Sequence, residues 1–229
     1  MCIRDSYYDD VAATFTNFAM SGIDKVHFGL EAAVSIPIYH TLALNGAVSW
    51  GQYTYDSNPY YLQTQDNSGD IVSDGYVYWK DFRVESTPQT AVNVGLSWRS
   101  NNNIYLSADF NYYNNMYLSM SPIYRTDAVI TGGMAPGDIE HLRRQEKFDS
   151  AYTLNASIGK NWYIHRKYTL GFSLDVKNIL NNQDIKTGGY EQTRLSKNTE
   201  TTVTTYQAFD SKYFYMFGTT YYLNLYFRF

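Results

Sequence analysis

Residues 219–229 read Thr-Thr-Tyr-Tyr-Leu-Asn-Leu-Tyr-Phe-Arg-Phe, a stretch in which apolar and polar side chains alternate. Successive residues of a β-strand point to opposite faces, so the stretch predicts a strand with one apolar and one polar face. Its length of 11 residues is what a tilted strand needs to cross a bilayer, whereas strands of soluble proteins usually have about five or six residues. The pattern therefore predicts a membrane-spanning β-strand.

The composition of the chain is compatible with this interpretation. The 229 residues include 24 Tyr, 12 Phe and 4 Trp, and 17% of them are charged, against about 25% in a typical soluble domain. Tyrosine suits the boundary between lipid and water because its ring is apolar and its hydroxyl group is hydrated. Soluble all-β proteins are also rich in tyrosine, so composition alone leaves both classes open.

Charge, cysteine content and hydrophobic runs exclude several other classes. The net charge of −4 argues against a nucleic-acid partner, which requires a basic surface. Cys2 is the only cysteine, so no disulfide framework and no cysteine metal cluster is expected. No apolar run reaches the roughly 18 residues of a transmembrane helix.

Six further segments of the chain alternate in the same way as residues 219–229. They lie at residues 26–36, 42–50, 92–98, 104–112, 152–158 and 168–176. Pro37 is expected to end the first of them, because proline has no N–H to donate to a neighbouring strand. The sequence thus predicts seven strands.

The connections between these strands alternate between short and long. The long connections, at residues 56–89, 116–150 and 179–211, are each more than 30 residues long, and we expect them to be structureless. Consecutive antiparallel strands would place all long connections at one end of the sheet, which is the arrangement of outer-membrane barrels. Structureless connections of this length also argue against a compact soluble domain.

The apolar face of the seven predicted strands carries no charged residue. Trp98, Trp162 and Phe229 fall at the ends with short turns, where a barrel carries a girdle of aromatic residues. The fold class predicted is all-β: an antiparallel transmembrane β-barrel. Bacterial single-chain barrels have an even number of strands, and an open sheet exposes unpaired edges. About seven strands with long extracellular loops therefore predict the C-terminal portion of a larger barrel.

Several motifs resemble the late barrel segments of TonB-dependent outer-membrane receptors, of the type with an N-terminal carboxypeptidase-regulatory-like domain. The resemblance covers roughly residues 25–229. The motifs include Gln-Glu-Lys-Phe at 145–148, Thr-Leu-Asn-Ala-Ser-Ile-Gly-Lys at 153–160, Asp-Val-Lys-Asn-Ile-Leu-Asn-Asn at 175–182, Gly-Tyr-Glu-Gln-Thr-Arg at 189–194 and Lys-Tyr-Phe-Tyr-Met-Phe-Gly at 212–218.

This resemblance implies a multi-pass barrel of about 22 strands in the outer membrane of a Gram-negative bacterium. It implies TonB-driven uptake of a nutrient ligand, with a plug domain and further strands that are missing from this sequence. The implied partners are TonB, which is reached through the plug, together with the barrel-assembly machinery, outer-membrane lipid and a surface lipoprotein. Neither the resemblance nor the residues imply a cofactor.

Residues 1–24 are expected to lie outside the part of the chain that resembles this family. The opening Met-Cys-Ile-Arg-Asp-Ser has no apolar signal-peptide segment behind it. We interpret residues 1–6 as unrelated to the rest of the chain, with the natural N-terminus upstream. Residues 6–24 show no clean period and predict a loop or a strand remnant.

No pattern of catalytic residues occurs in the sequence, so we expect a protein that is not an enzyme. The four histidines lack metal-ligand spacing, and neither His-Glu-x-x-His nor Gly-x-Ser-x-Gly is present. The candidate functional residues are instead those of a barrel and its loops. Polar residues predicted to face the lumen are Glu31, Asp109, Asp175 and Lys177.

Two further sets complete the candidates. Loop residues that we expect to capture ligand, by aromatic stacking on sugars or other planar faces, are Tyr53, Tyr55, Tyr60, Tyr61, Tyr124 and Arg125. The resemblance implies an assembly signal, read by the barrel-assembly machinery, in Tyr221, Leu223, Leu225, Phe227 and Phe229. The alternatives left open by the sequence are a soluble all-β binding module and a barrel anchor without transport.

Overall fold

The chain folds into antiparallel β-sheets with a few short helical segments. The structure, a computed structural model, describes residues 3–9, 13–85, 87–132, 136–165, 167–193, 195–198 and 205–229. Its elements are, in chain order, β1 (Ile3–Asp9), β2 (Thr14–Ser21), β3 (Lys25–Tyr39), β4 (Leu42–Tyr55), β5 (Tyr60–Gln65), β6 (Ile71–Tyr76), β7 (Thr90–Arg99), β8 (Ile104–Asn114), a 3-10 turn (Ile123–Arg125), α1 (Asp127–Thr131), α2 (Pro136–Arg143), β9 (Ala151–Ile164), β10 (Tyr168–Lys177), β11 (Lys186–Tyr190), β12 (Leu195–Asn198), β13 (Thr205–Ala208), β14 (Lys212–Tyr215) and β15 (Thr220–Arg228).

The largest sheet has seven strands in the order β15-β10-β9-β8-β7-β4-β3, with antiparallel neighbours throughout. These strands contain six of the seven alternating segments in full and residues 220–228 of the seventh, so each of the seven predicted strands is confirmed. The connections β3–β4, β7–β8 and β9–β10 are short, and the other three are long. The long connections therefore leave from one end of the sheet, as predicted.

The register of this sheet places like side chains side by side, because directly paired residues share a face. Ile158 pairs with Leu106 on one side and with Leu174 on the other. Leu174 in turn pairs with Leu223 of the last strand. A slip of one residue would turn every such row to the opposite face, so the alternation in the sequence specifies the register.

The polar face of the seven-stranded sheet is held by hydrogen bonds between neighbouring strands. Ser35 donates to Oδ1 of Asn45 at 2.8 Å, and Nδ2 of Asn45 donates to Ser97 at 3.2 Å. The hydroxyl groups of Ser107 and Ser157 lie 2.8 Å apart. These short polar side chains satisfy one another across the strands.

The apolar face of the same sheet is open to the surroundings. Leu30 is 69% exposed, Phe110 42% and Leu225 70%. β9 runs six residues beyond the predicted segment, which ended at residue 158. The extension adds Lys160 to the apolar face, where it pairs with Ile104 and Phe172 of the two neighbouring strands. The expectation of a face without charge was therefore wrong at one position, which lies near the short-turn end and keeps its ammonium 5.2 Å from the ring of Trp162.

Pro37 does not end its strand, contrary to the prediction. β3 continues to Tyr39, and the register shifts between Pro37 and Tyr39. In this sheet β3 pairs on one side only. A proline at an edge strand costs no ladder hydrogen bond when its missing N–H faces away from the neighbour.

The long connections are folded, which corrects the expectation that they are structureless. The N-terminal residues form strands, β1 and β2, which pair with each other and continue through β5 to β6 as a four-stranded sheet. The long connections carry the remaining strands and both helices. Their length consequently does not argue against a compact domain. In the part of the chain described, no helix is long and apolar enough to span a membrane.

Two glycines on the polar face lie beneath tyrosine rings of the adjacent strand. Gly159 pairs with Tyr105, and Gly171 pairs with Tyr226. A Cβ atom on either glycine would overlap the paired ring. The phenol of Tyr226 also donates to Oδ1 of Asn161. The missing side chain thus makes room for a ring that covers the backbone.

We predict that Gly159→Ala destabilises the protein by about 1–3 kcal/mol, because the Tyr105 ring must leave its position. Gly46→Ala is the matched control, since its Cβ would meet only Val34 Cγ1, at 3.5 Å, and alanine gains up to about 1 kcal/mol over glycine in a strand. Urea unfolding followed by tryptophan fluorescence measures both. Equal losses in the two variants would contradict the role of the ring.

Candidate functional site

The long connections and the N-terminal hairpin pack together at one end of the seven-stranded sheet. We call this part, residues 3–24, 56–89, 115–150 and 178–219 where described, the loop layer. It holds most of the buried apolar side chains, in one cluster: Phe18, Met20, Ile23, Tyr55, Tyr61, Val77, Trp79, Met120, Ile123, Tyr124, Val129 and Leu142. Among the described residues, the hydrophobic core therefore lies in the loop layer, and Tyr55 is the one member of this cluster from a strand of the large sheet.

A buried ion pair joins the second and third connections. Nη1 of Arg125 lies 2.5 Å from Oε2 of Glu191, and Nη2 lies 2.9 Å from Oε1, which is a bidentate contact. The side chains are only 1% and 4% exposed. The backbone N–H of Ser121 also donates to Oε2 of Glu191 at 2.8 Å, and Nη1 of Arg125 donates to the carbonyl of Ser121 at 3.1 Å. Phe82 of the first connection stacks 5.2 Å from the guanidinium.

This ion pair changes the interpretation of two predicted ligand residues. Arg125 is 1% exposed and Tyr124 also 1%, so neither presents its side chain to a ligand outside the layer. The phenol of Tyr124 accepts a hydrogen bond from the backbone N–H of Phe209 at 3.4 Å. Both residues hold the connections together instead.

Three of the other predicted ligand residues are placed differently from the expectation. Tyr53 and Tyr55 belong to β4 rather than to a loop. Tyr53 stacks on His27 at 4.9 Å, and Tyr55 is buried with its phenol on Glu85. Tyr61 is 1% exposed and stacks on Phe18 at 5.1 Å.

A second set of contacts joins Glu146, Lys186 and Tyr213. Lys186 forms an ion pair with Glu146 at 3.2 Å and lies 3.8 Å from the ring of Tyr213. Tyr213 donates to the other carboxylate oxygen of Glu146 at 2.8 Å. Burial and this hydrogen bond raise the pKa of Tyr213. Burial lowers the pKa of Lys186, but the hydrogen bond and charge of Glu146 outweigh it, so the pKa is raised.

Two amides bond to backbone groups of the loop layer, one between connections and one within the third connection. Gln145 exchanges two hydrogen bonds with the backbone of Arg83, each 2.7 Å long. Nδ2 of Asn178 donates to the carbonyls of Asn182 and Phe217, at 2.9 and 3.0 Å. The three connections are thus joined by polar side chains as well as by their shared core.

An exposed group of tyrosine and aspartate residues lies on the surface of the loop layer. We call Tyr60, Asp74, Tyr76, Tyr78 and Asp127 the tyrosine–aspartate surface. The three rings are 41%, 54% and 43% exposed. Tyr60 and Tyr76 pair across β5 and β6, with ring centroids 5.7 Å apart and planes at 78°.

The two carboxylates of this surface hold the tyrosines in place. Tyr60 donates to Asp74 at 2.5 Å, and the backbone N–H of Tyr76 donates to Asp127 at 2.8 Å. The side-chain hydrogen bond to Asp74 favours the neutral phenol of Tyr60 and raises its pKa. The nearby carboxylate of Asp127 raises the pKa of Tyr78.

Gly75 lets Asp127 approach the β6 strand. Its φ is +151°, and a Cβ atom would stand 2.9 Å from Oδ2 of Asp127. Asp127 opens α1, whose N-cap is Thr126. The start of this helix is therefore fixed against the strand that carries Tyr76.

A small apolar cavity lies beside this surface. It has a volume of about 180 Å³ and is lined by Tyr78, Phe82, Arg125, Ile130, Ile139 and Leu142. Arg125 Nε is buried and has no hydrogen-bond partner among the described residues. Tyr78 is shared between the cavity and the exposed surface.

The residues predicted to face a lumen all lie on the polar face of the large sheet but do not meet. Glu31 accepts a hydrogen bond from Ser49 at 3.3 Å. Asp109 on β8 and Asp175 on β10 are separated by β9, and Lys177 pairs with Thr220 at the long-connection end. Among the described residues, no three His, Cys, Asp or Glu side chains gather at a metal-binding distance.

The tyrosines between Tyr53 and Tyr78, which include Tyr76 and Tyr78, were expected to capture ligand, whereas Glu191, Asp74 and Asp127 were not singled out. Glu191 lies within the quoted motif at residues 189–194, which was the available signal. The alternation of Asp74, Tyr76 and Tyr78 was also visible in the sequence. Asp127 carried no signal, because only the fold brings it to β6.

No family model matches the chain, and no curated protein matches it either.

We predict that Arg125→Met and Glu191→Gln each destabilise the protein by about 3–5 kcal/mol, because each leaves the partner group buried without its counterpart. The double variant should lose less than the sum of the two. Urea unfolding of all three variants gives the coupling free energy.

The exposed pair Arg144–Glu140 is the matched control. Its side chains are 79% and 70% exposed at a distance of 2.9 Å, so removing either group should cost less than about 1 kcal/mol. Additive losses at Arg125 and Glu191 would show that the ion pair does not couple the connections.

We predict that Asp74→Asn lowers the pKa of Tyr60, because the carboxylate that favours the neutral phenol is removed. In the parent protein the stabilisation from this bond is present below the ordinary tyrosine pKa of about 10 and is lost as pH rises through the raised pKa. NMR titration of ¹³Cζ-labelled tyrosine measures the shift. Asp70→Asn is the control, since Asp70 accepts instead from Ser68, at 2.7 Å; an equal effect there would contradict the assignment.

Proposed function

We propose that this chain forms part of the wall and the outer loops of a TonB-dependent outer-membrane receptor that takes up a nutrient ligand. In this proposal the seven-stranded sheet lies in the outer membrane of a Gram-negative bacterium. The loop layer lies on the extracellular side and meets the ligand first. The protein transports and carries out no catalysis.

The observation that carries this proposal is the open apolar face of the large sheet. Its side chains extend over seven strands and remain exposed, as Leu30 and Leu225 illustrate at 69% and 70%. A soluble protein rarely leaves an apolar surface of this extent in water. Lipid tails are the partner that fits it, since a barrel alternates apolar residues outward and polar residues inward.

Two further features support the same proposal. The strands have 9 to 15 residues, which includes the length of transmembrane strands. Trp98 and Trp162 lie near the short-turn ends of β7 and β9, as an aromatic girdle requires. Phe229 at the same end suits recognition by the barrel-assembly machinery, together with Tyr221, Leu223, Leu225 and Phe227.

The edges of the sheet fit a larger barrel. β3 and β15 each pair on one side only, and unpaired backbone groups are costly within a membrane. In the proposed receptor, further strands pair with both edges and close the wall. The polar face then lines the lumen, where Glu31, Asp109, Asp175 and Lys177 meet water or the plug that connects to TonB.

A soluble all-β binding module is the second candidate, and the loop layer favours it. This layer has its own apolar core and a buried ion pair, which are features of an independent domain. In that case the apolar face of the large sheet would be covered by another protein surface rather than by lipid.

We predict that brominated lipids quench Trp162 and leave Trp79 fluorescent. Trp162 is 41% exposed on the apolar face, whereas Trp79 is 4% exposed inside the loop layer. Variants that keep only one of these tryptophans, with the others changed to phenylalanine, separate the two signals after refolding into vesicles. Bromine quenches on contact, so only a residue that touches lipid loses its fluorescence.

Vesicles of the same lipid without bromine are the control, and circular dichroism checks the fold of each variant. A chain that stays in the aqueous fraction with Trp162 unquenched would sink the receptor proposal. That outcome would favour the soluble binding module.

A further inference from the structure

We propose that the tyrosine–aspartate surface binds an organic cation, with a trimethylammonium head group as the simplest form. The inference names the ligand class of the loop layer. It rests on the proposed function only in treating this layer as the place where ligand is captured. The binding itself depends on the residues of the layer and not on a membrane.

The geometry of the rings carries the first part of the argument. Tyr60 and Tyr76 meet edge to face, with planes at 78° and centroids 5.7 Å apart, so the two rings border a corner, and both are exposed to solvent. The face of an aromatic ring is its negative side, and a cation within about 6 Å of the centroid is attracted to it. Perpendicular rings are also found in aromatic cages, and Tyr78 is a third exposed tyrosine, two residues after Tyr76.

The carboxylates beside the rings also favour a cation. Asp74 accepts a hydrogen bond from the phenol of Tyr60, and Asp127 accepts one from the backbone N–H of Tyr76. A phenol that donates to a carboxylate has a more electron-rich ring, which strengthens its attraction to a cation. Each carboxylate also retains acceptor capacity, because an ionised carboxyl group has about four lone-pair sites.

The negative charge of the first connection also favours a cation. Residues 56–89 contain six acidic and two basic residues, a net charge of −4, whereas the rest of the chain sums to zero. The whole net charge of the chain is therefore in the connection that bears the three tyrosines. A field of this sign raises the local concentration of cations and repels anions.

A neutral planar ligand would also stack on these rings, but it would gain nothing from the two carboxylates or from the charge. A trimethylammonium group has no N–H and is weakly hydrated. It therefore loses little solvation in the corner, where methyl groups contact both rings. The combination of apolar contact and positive charge selects it over an alcohol of the same shape.

The test compares choline with its neutral isostere, 3,3-dimethylbutan-1-ol. The full chain is kept in a polyoxyethylene detergent, which carries no ammonium group, and shifts of ¹³C-labelled tyrosine report binding. We expect choline to bind with a Kd in the millimolar range and at least about tenfold more tightly than the alcohol.

Variants locate the site. Tyr60→Leu or Tyr76→Leu should weaken choline binding about three- to fivefold, and Asp74→Asn should weaken it as well. Tyr60→Phe keeps the ring but loses the Asp74 bond, so it should weaken choline binding less than Tyr60→Leu does, which separates loss of the ring from loss of the bond. Tyr163→Leu is the matched control, since Tyr163 is 62% exposed near the short-turn end and should leave the affinity unchanged.

Two results would overturn the proposal. Equal affinity for choline and the alcohol would show that the surface binds both through apolar contact alone. No saturable choline binding in the millimolar range, with the tyrosine signals of the parent protein intact, would show that no such site exists. An unquenched Trp162 in the bromolipid experiment would contradict the membrane location of the large sheet and would leave the cation site untouched. The two proposals can therefore be contradicted independently.

Discussion

Successive side chains of a strand must point to opposite faces, and the large sheet depends on this constraint. Seven alternating segments in one register give a face of Leu, Ile, Val and aromatic residues and a face of Ser, Asn and Asp. Because directly paired residues share a face, rows such as Leu106, Ile158, Leu174 and Leu223 form without any core beneath them. The sheet is specified by its ladder and its alternation, and its apolar face is open to the surroundings.

The loop layer is organised by different physics. Its connections have no common period, and a shared apolar core and buried polar contacts hold them together. The bidentate pair of Arg125 and Glu191 is the centre of this arrangement, since burying either charge alone would be costly. The large sheet is therefore stabilised by pairing between its strands, whereas the loop layer is stabilised by a packed core and buried polar contacts.

This division explains what the sequence predicts and what it does not. Alternation is local, so all seven strands and their order of short and long connections can be read from it. The end of β9 and the continuation of β3 past Pro37 depend on pairing with a neighbour, which local patterns do not contain. The loop layer is still less predictable, because Arg125 and Glu191 lie 66 residues apart and contact each other only after the core has formed. Tyr61 and Tyr124 look like ligand residues by composition, and only their burial shows that they build the layer.

The buried ion pair also determines how the exposed surface is presented. Arg125 accepts a hydrogen bond at its carbonyl from the backbone N–H of Tyr78, at 2.8 Å. Two residues later Asp127 accepts a hydrogen bond from the backbone N–H of Tyr76. The guanidinium that anchors the second connection to Glu191 therefore also fixes the carboxylate that holds the backbone of Tyr76. A surface held in this way loses little conformational entropy when a ligand binds, and such preorganisation raises affinity without any additional contact.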